Sequence, residues 1–269
     1  MSDDIPPDPA AKALAAAAVP ALPADPFPEL EIAELAKRAR SAGGPLITLL
    51  NRIGGTLEDR MNLLPAGLRR QVDAVTLASL ERAFAAARLG RHAPDIGPVG
   101  APLMAALVGA AGGAGGLATA VAELPVTVTL ILHTIRSVAE AEGFDPDDDH
   151  IRAEILRVFA SGSPMGGDDG VNTAFIGARL TLSGAALNQM VARFAPKIAA
   201  ALSQKLAAQA VPVLGAISGA ALNTAFLRHY RELARIRFRL LRLAQTHDPE
   251  RVLRRFAEAA SVRPMLRAD

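Results

Sequence analysis

The chain has no cysteine and no tryptophan, a single tyrosine, and an aromatic content of only 4%. Without thiols there are no disulfides, thiolate zinc sites or cysteine nucleophiles, and a reducing compartment fits. Few aromatics argue against β-sheet, whose pleated faces are filled by aromatic and β-branched side chains. Lysine is scarce too: of 29 basic residues only Lys12, Lys37, Lys197 and Lys205 are lysine. The net charge of +2 is too small to name a partner. Strand alternation and a fixed-period repeat are also missing. What is abundant is alanine and leucine, within a hydrophobic content of 51%. These residues lose little rotamer freedom in a helix. The expected class is all-α.

The first residues, MSDDIPPDPAAKALAAAAVPALPADPFP, start acidic and are broken by prolines. A secretory signal needs a basic start and a continuous apolar run. Residues 1–28 therefore read as a disordered Pro/Ala-rich tail, and residues 29–269 as one multi-helix domain. Helical patterns cover Glu29–Ser41, Leu68–Leu89, Leu124–Glu142, Ile151–Ala160, Val171–Arg193, Pro196–Ala210, a span from Pro212 through Leu243, and Pro249–Ala260. Glycine and proline punctuate them.

The densest glycine stretch is GAAGGAGGLATAVAELP, Gly109 to Pro125. No lysine follows the glycines, so it is not a Walker phosphate loop, and the spacing misses the dinucleotide fingerprint. The uncharged run from Ile96 to Ala122 exceeds the ~20 residues that span a bilayer. A second uncharged run lies between Lys205 and Arg228. Glycine, alanine and proline give such runs little transfer energy. Close helix packing is the favoured reading. Gly109 and Gly113, like Gly112 and Gly116, stack on one helix face. Gly215, Gly219 and Asn223 repeat the four-residue spacing. Two glycine-rich apolar helices are thus expected to press together in the core.

Two blocks carry a resemblance. GAAGGAGGLATAVAELPVTVTLILHTIRSVAEAEGFDPDDDHIRAEILRVF, Gly109 to Phe159, joins a glycine-rich stretch, an acidic-x-Pro step, an apolar helix and Gly-aromatic-Asp ahead of an acid-started helix. VPVLGAISGAALNTAFL, Val211 to Leu227, gives a Pro-x-x-Gly-Ala…Gly-Ala…Asn element, and LLPAGLRRQVDAV is a weaker third block. In this order they resemble the EcsC protein family. Glu123 stands where that pattern has Asp. The resemblance implies an α-helical bacterial protein from a family named for an operon that also encodes an ABC transporter. It implies no catalytic activity, so no catalytic residue is carried over.

Chemistry-bearing residues are few. The five histidines, His92, His133, His150, His229 and His247, include no i, i+4 pair of the helical zinc type. Asp145–Asp149 reads as a helix start, with Asp145 as cap and Pro146 in the first position, and lacks the EF-hand glycine and terminal glutamate. Ser163 sits one place early for a nucleophile elbow. No catalytic, cofactor or metal residues are therefore assigned, and no cofactor is expected. The C-terminal part is richer: from Arg228 to Asp269 eleven arginines face five acids. Arg228, Arg231, Arg235, Arg239 and Arg242 form one narrow stripe at helical spacing, suited to anionic headgroups or an acidic partner. Nucleic acid is disfavoured, because no aromatic interleaving accompanies the charge. Arg237 falls on the apolar side, where a guanidinium needs a partner. Glu123 is the expected partner, linking the two glycine helices.

The sequence thus points to a non-catalytic EcsC-like accessory protein linked to transport or secretion. It is expected in the cytoplasm, with peripheral attachment to the inner membrane or to a membrane protein complex. Two other readings stay open: an integral membrane protein with a glycine-rich hairpin, and a hydrolase-type enzyme using Glu123 or His133 in a buried pocket.

Overall fold

The computed structural model describes residues 27–42, 65–88, 104, 107, 121–161, 184–209 and 215–261. Among these residues there are seven helices and no strand. They are α1 (Glu29–Ser41), α2 (Ala66–Arg88), α3 (Leu124–Ala141), α4 (Asp149–Ala160), α5 (Gly184–Gln209), α6 (Gly215–Thr246) and α7 (Pro249–Ser261). The all-α class read from composition is the observed one.

Local chemistry explains the ends. α1 carries Glu29 and Glu31 in its first turn and Arg38 and Arg40 in its last, matching the helix dipole. α3 starts after Glu123, with Pro125 in its first turn where a missing N–H costs nothing. It ends in a Schellman motif. Gly143 takes φ +88°, its N–H donates to Glu140, and Phe144 donates to Ala139 at 3.0 Å. Phe144 then packs on Phe238, ring centroids 5.6 Å apart.

Two expectations need correction. The start of α4 is capped by Asp148, whose Oδ1 accepts the His150 amide at 2.7 Å, and not by Asp145. Asp145 instead accepts the Asp147 amide at 2.9 Å, and its carbonyl accepts from Asp148, so Pro146 lies in a turn before the helix. A tight turn consumes the first two acids before the helix can begin. The second correction is at Pro196, where two helices were expected and α5 runs through as one. Pro196 and Ala192, whose carbonyl loses its amide donor, both lie on the exposed side, while Ile198, Leu202 and Leu206 are fully buried on the other. Burying such side chains contributes about 1.5–3 kcal/mol each. Together they outweigh the ~3 kcal/mol that a helix-interior proline costs.

The helices close two separate apolar cores. The larger is shared by α2 to α6, with α2 against α3 and α5, and α3 and α4 against α6. Leu124, Ile135, Phe159, Leu202, Phe226 and Tyr230 lie at its centre. The smaller joins the two ends of the described chain. Ile32, Leu35 and Ala36 of α1 and Val252 and Phe256 of α7 meet Ile236, Leu240 and Leu243 of α6.

α6 serves both cores. At 3.6 residues per turn its surface divides into three stripes roughly 120° apart. Ile236, Leu240 and Leu243 face the smaller core, and Tyr230, Leu233, Ala234 and Phe238 face the larger. The third stripe carries the arginines.

Among the described residues no helix is long and apolar enough to cross a membrane. The uncharged run 96–122 falls almost wholly outside the described residues. The later part of the second run is described, and there Leu222, Ala225, Phe226 and Leu227 are buried against protein.

Candidate functional site

The third stripe of α6 is the most distinctive charged surface. Arg228 is exposed, Arg231 is half-buried, and Arg235 is 46% exposed while bonding Glu232 one turn back at 2.8 Å. Among the described residues neither Arg228 nor Arg231 has an ion pair. Burial lowers the Arg231 pKa, Arg235 nearby lowers it further, and Glu232 opposes them. Like charges are thus held together at this end of the stripe.

The other end is neutralised within the chain. Arg239 bonds Glu31 of α1 at 2.9 Å and Glu142, just past α3, at 3.0 Å. Arg242 reaches the same two carboxylates, Glu142 at 3.2 Å and Glu31 at 3.9 Å. Hydrogen bonds to Glu31 and then Glu142 raise the Arg239 pKa. Two cations and two anions form a closed set. The row therefore splits into three arginines facing solvent and two held by acids from elsewhere in the fold. Sequence spacing placed all five on one stripe but carried no sign of this division.

The expected pair between Glu123 and Arg237 is replaced by two pairs. Glu123 turns inward from the start of α3, and its Oε1 accepts from Lys205 Nζ of α5 at 2.7 Å. Lys205 is wholly buried and Glu123 only 7% exposed. Desolvation lowers the Lys205 pKa, and the Glu123 charge and hydrogen bond oppose that shift. Glu123 Oε2 and, one turn on, Thr127 Oγ1 are buried with no hydrogen bond among the described residues. Arg237 instead lies 2.8 Å from Glu154 of α4 through both Nε and Nη2. Glu154 also accepts from Arg157. The physical reason is proximity: α4 lies against the larger-core stripe of α6 that carries Arg237, whereas Glu123 faces α5.

A sequence signal for the true pair existed. Glu123 is the lone charge between Asp95 and Arg136, and Lys205 is the lone charge between Lys197 and Arg228. Two opposite charges isolated in long uncharged stretches both need partners. The closed pair leaves neither group facing solvent.

Other candidates resolve into local structure. Asp147 receives both terminal nitrogens of Arg136 at 3.0 Å and Arg152 at 3.2 Å, so the acid run serves arginines. No group of metal-ligating side chains forms among the described residues. His133 is half-buried on α3. His229 is buried, with Nδ1 3.3 Å from the Ala42 carbonyl, linking α6 to the end of α1. Gly109, Gly112, Gly113 and Gly116 lie outside the described residues. Gly215 and Gly219 fall in the first turns of α6, but their surroundings also lie outside. Asn223, one turn on, is buried.

The model of the EcsC protein family matches residues 100–243, a little over half of the chain. The match spans α3 to α5 and most of α6, including the Glu123–Lys205 and Glu154–Arg237 pairs. Comparison with curated proteins and with solved structures finds no match.

Proposed function

The chain belongs to the EcsC protein family, and we propose that it is a non-catalytic accessory protein that docks by the arginine row of α6 on an anionic membrane surface. One observation carries the reading: Arg228, Arg231 and Arg235 occupy one stripe, with Glu232 as the only acid bonded to any of them among the described residues. Their mutual repulsion is relieved when an anion arrives. A charged bilayer offers many at once, at about 1 kcal/mol per arginine near the surface. Arg228 to Arg235 spans about 10 Å at 1.5 Å per residue, enough to meet more than one headgroup. A peripheral place on the inner membrane, beside transport or secretion machinery, fits both the row and the family. An acidic face of a membrane protein complex is the competing partner.

The test is flotation of the purified protein with phosphatidylcholine vesicles, with and without phosphatidylserine. Binding should require phosphatidylserine and weaken as salt rises past about 0.1 M, where the Debye length falls to about 10 Å. Arg228→Gln/Arg231→Gln/Arg235→Gln should weaken it on the order of 100-fold, about 5-fold per arginine. A triple variant that floats like the wild type sinks the reading. So does a wild type that ignores anionic vesicles.

A further inference from the structure

We propose that α1 and α7 form a releasable clip, held to α6 by Glu31, and that an anionic lipid surface takes Arg239 and Arg242 from Glu31 when the clip opens. The inference rests on the surface reading above and concerns the regulation of that same arginine row.

The clip is a distinct unit of packing. α1 and α7 lie chiefly against each other and against the last turns of α6. Their apolar contacts form the smaller core, separate from the one that holds α2 to α5. Both helices lie outside the segment matched by the family model. A small core opens at lower free energy than the large one beside it, because fewer buried apolar groups oppose opening.

The polar ties are of a kind that another charged surface can replace. Arg239 and Arg242 reach Glu31, Arg38 reaches Glu232 at 3.6 Å, and Arg255 reaches Glu29 at 2.9 Å. Arg239 and Arg242 are each 43% exposed, so salt and competing anions have access to them. The seam between α1 and α7 is also imperfectly filled. A cleft of about 230 Å³ lies there, lined by Ile32, Ala33 and Ala259 with Glu29, Arg255 and Glu258. The far end of α1 is anchored differently. Ala42 joins the larger core and lies beside buried His229. Opening is therefore a swing of α1 about a held end.

Opening would uncover a particular surface. Ile236, Leu240 and Leu243 form an apolar strip directly beside Arg239 and Arg242. With α1 displaced, Glu142 alone remains to balance the two arginines. An apolar strip flanked by arginines is the composition of a helix that lies in a membrane interface. The opposite side of α6 would stay in place, because Phe226, Tyr230 and Leu233 are buried there and Arg237 is bonded to Glu154. Opening thus removes one of the two carboxylates that hold Arg239 and Arg242 and adds an apolar strip beside the row.

The experiment pairs flotation on phosphatidylserine-containing vesicles with hydrogen exchange of the full-length chain, for wild type and Glu31→Gln. Glu31→Gln should bind about 5-fold tighter, the gain from one arginine charge left without its carboxylate. On vesicles, α1 and α7 amides should lose protection while α3 and α4 keep theirs. Arg255→Gln, which cuts the tie between α1 and α7 and so weakens the smaller core they share, should shift binding in the same direction. The clip is overturned, and the surface reading kept, if all three proteins bind alike and α1 stays protected on vesicles. Both fall if none of the three binds.

Discussion

The Glu123–Lys205 pair gives the sharpest test of how the larger core is held. Lys205→Met removes the ammonium and leaves a carboxylate that is 93% shielded and without its one hydrogen bond. Glu123→Met leaves a wholly buried ammonium without the one acceptor it has among the described residues. Breaking a buried pair from either side costs about 3–5 kcal/mol. That is a large part of the 5–15 kcal/mol by which domains are usually stable. The double variant, Glu123→Met/Lys205→Met, removes both charges and the desolvation that each suffers. It should return close to wild type or exceed it, since apolar replacement of a buried pair is often neutral or stabilising. Urea unfolding followed by far-UV circular dichroism gives all four stabilities and hence a coupling energy of several kcal/mol. If a single variant is already unfolded without urea, recovery of a cooperative transition in the double carries the result. Single variants within about 1 kcal/mol of wild type would refute the reasoning, because exposed pairs contribute no more than that.

Further outcomes follow from particular contacts. Tyr230 is fully buried and its hydroxyl has no hydrogen bond among the described residues, so Tyr230→Phe should be neutral or stabilise by about 1 kcal/mol in urea unfolding. The same variant should change the alkaline limb. Burial raises the Tyr230 pKa above 10.0, so the unfolded phenol ionises first and stability falls as pH rises through that region. Lys205 acts in the opposite sense. Its pKa is lowered, so the unfolded chain holds the extra proton between the folded-state value and 10.5, and stability rises with pH across that window. Tyr230→Phe should leave the rising contribution alone, and Lys205→Met the falling one, in urea midpoints measured from pH 8 upward. Asp148→Ala removes the cap of α4 and should cost about 1 kcal/mol. Phe256→Ala empties the centre of the smaller core at a cost of about 3–5 kcal/mol. Its loss of amide protection should appear in α1 and α7 and spare α3 and α4.

Much of the fold was legible because glycine and proline mark its ends. Glu29–Ser41 was read to the residue, and Leu124 and Pro249 were each placed at a helix start. Those signals are local: a charge gradient, a proline in a first turn, a glycine at positive φ. The failures are where a distant element decides. Pro196 reads as a break until the buried face of α5 is weighed against it. Asp145 reads as a cap until the turn that consumes it is seen. Glu123 meets Lys205 across 82 residues, and Arg237 meets Glu154 across 83, so helix periodicity could show that each charge needed a partner but not which. The arginine row shows the same limit. Its alignment is a matter of spacing, whereas the neutralisation of Arg239 and Arg242 by Glu31 and Glu142 depends on how α1 and the end of α3 pack.

Fractionation of the protein in its own cells, with a high-salt wash followed by carbonate, tests peripheral attachment most directly. The expected result is a membrane-bound protein that salt releases, with Arg228→Gln/Arg231→Gln/Arg235→Gln already in the soluble fraction. Resistance to both washes would contradict it and place the uncharged run 96–122 in the bilayer. A wild-type protein found only in the soluble fraction would contradict it equally.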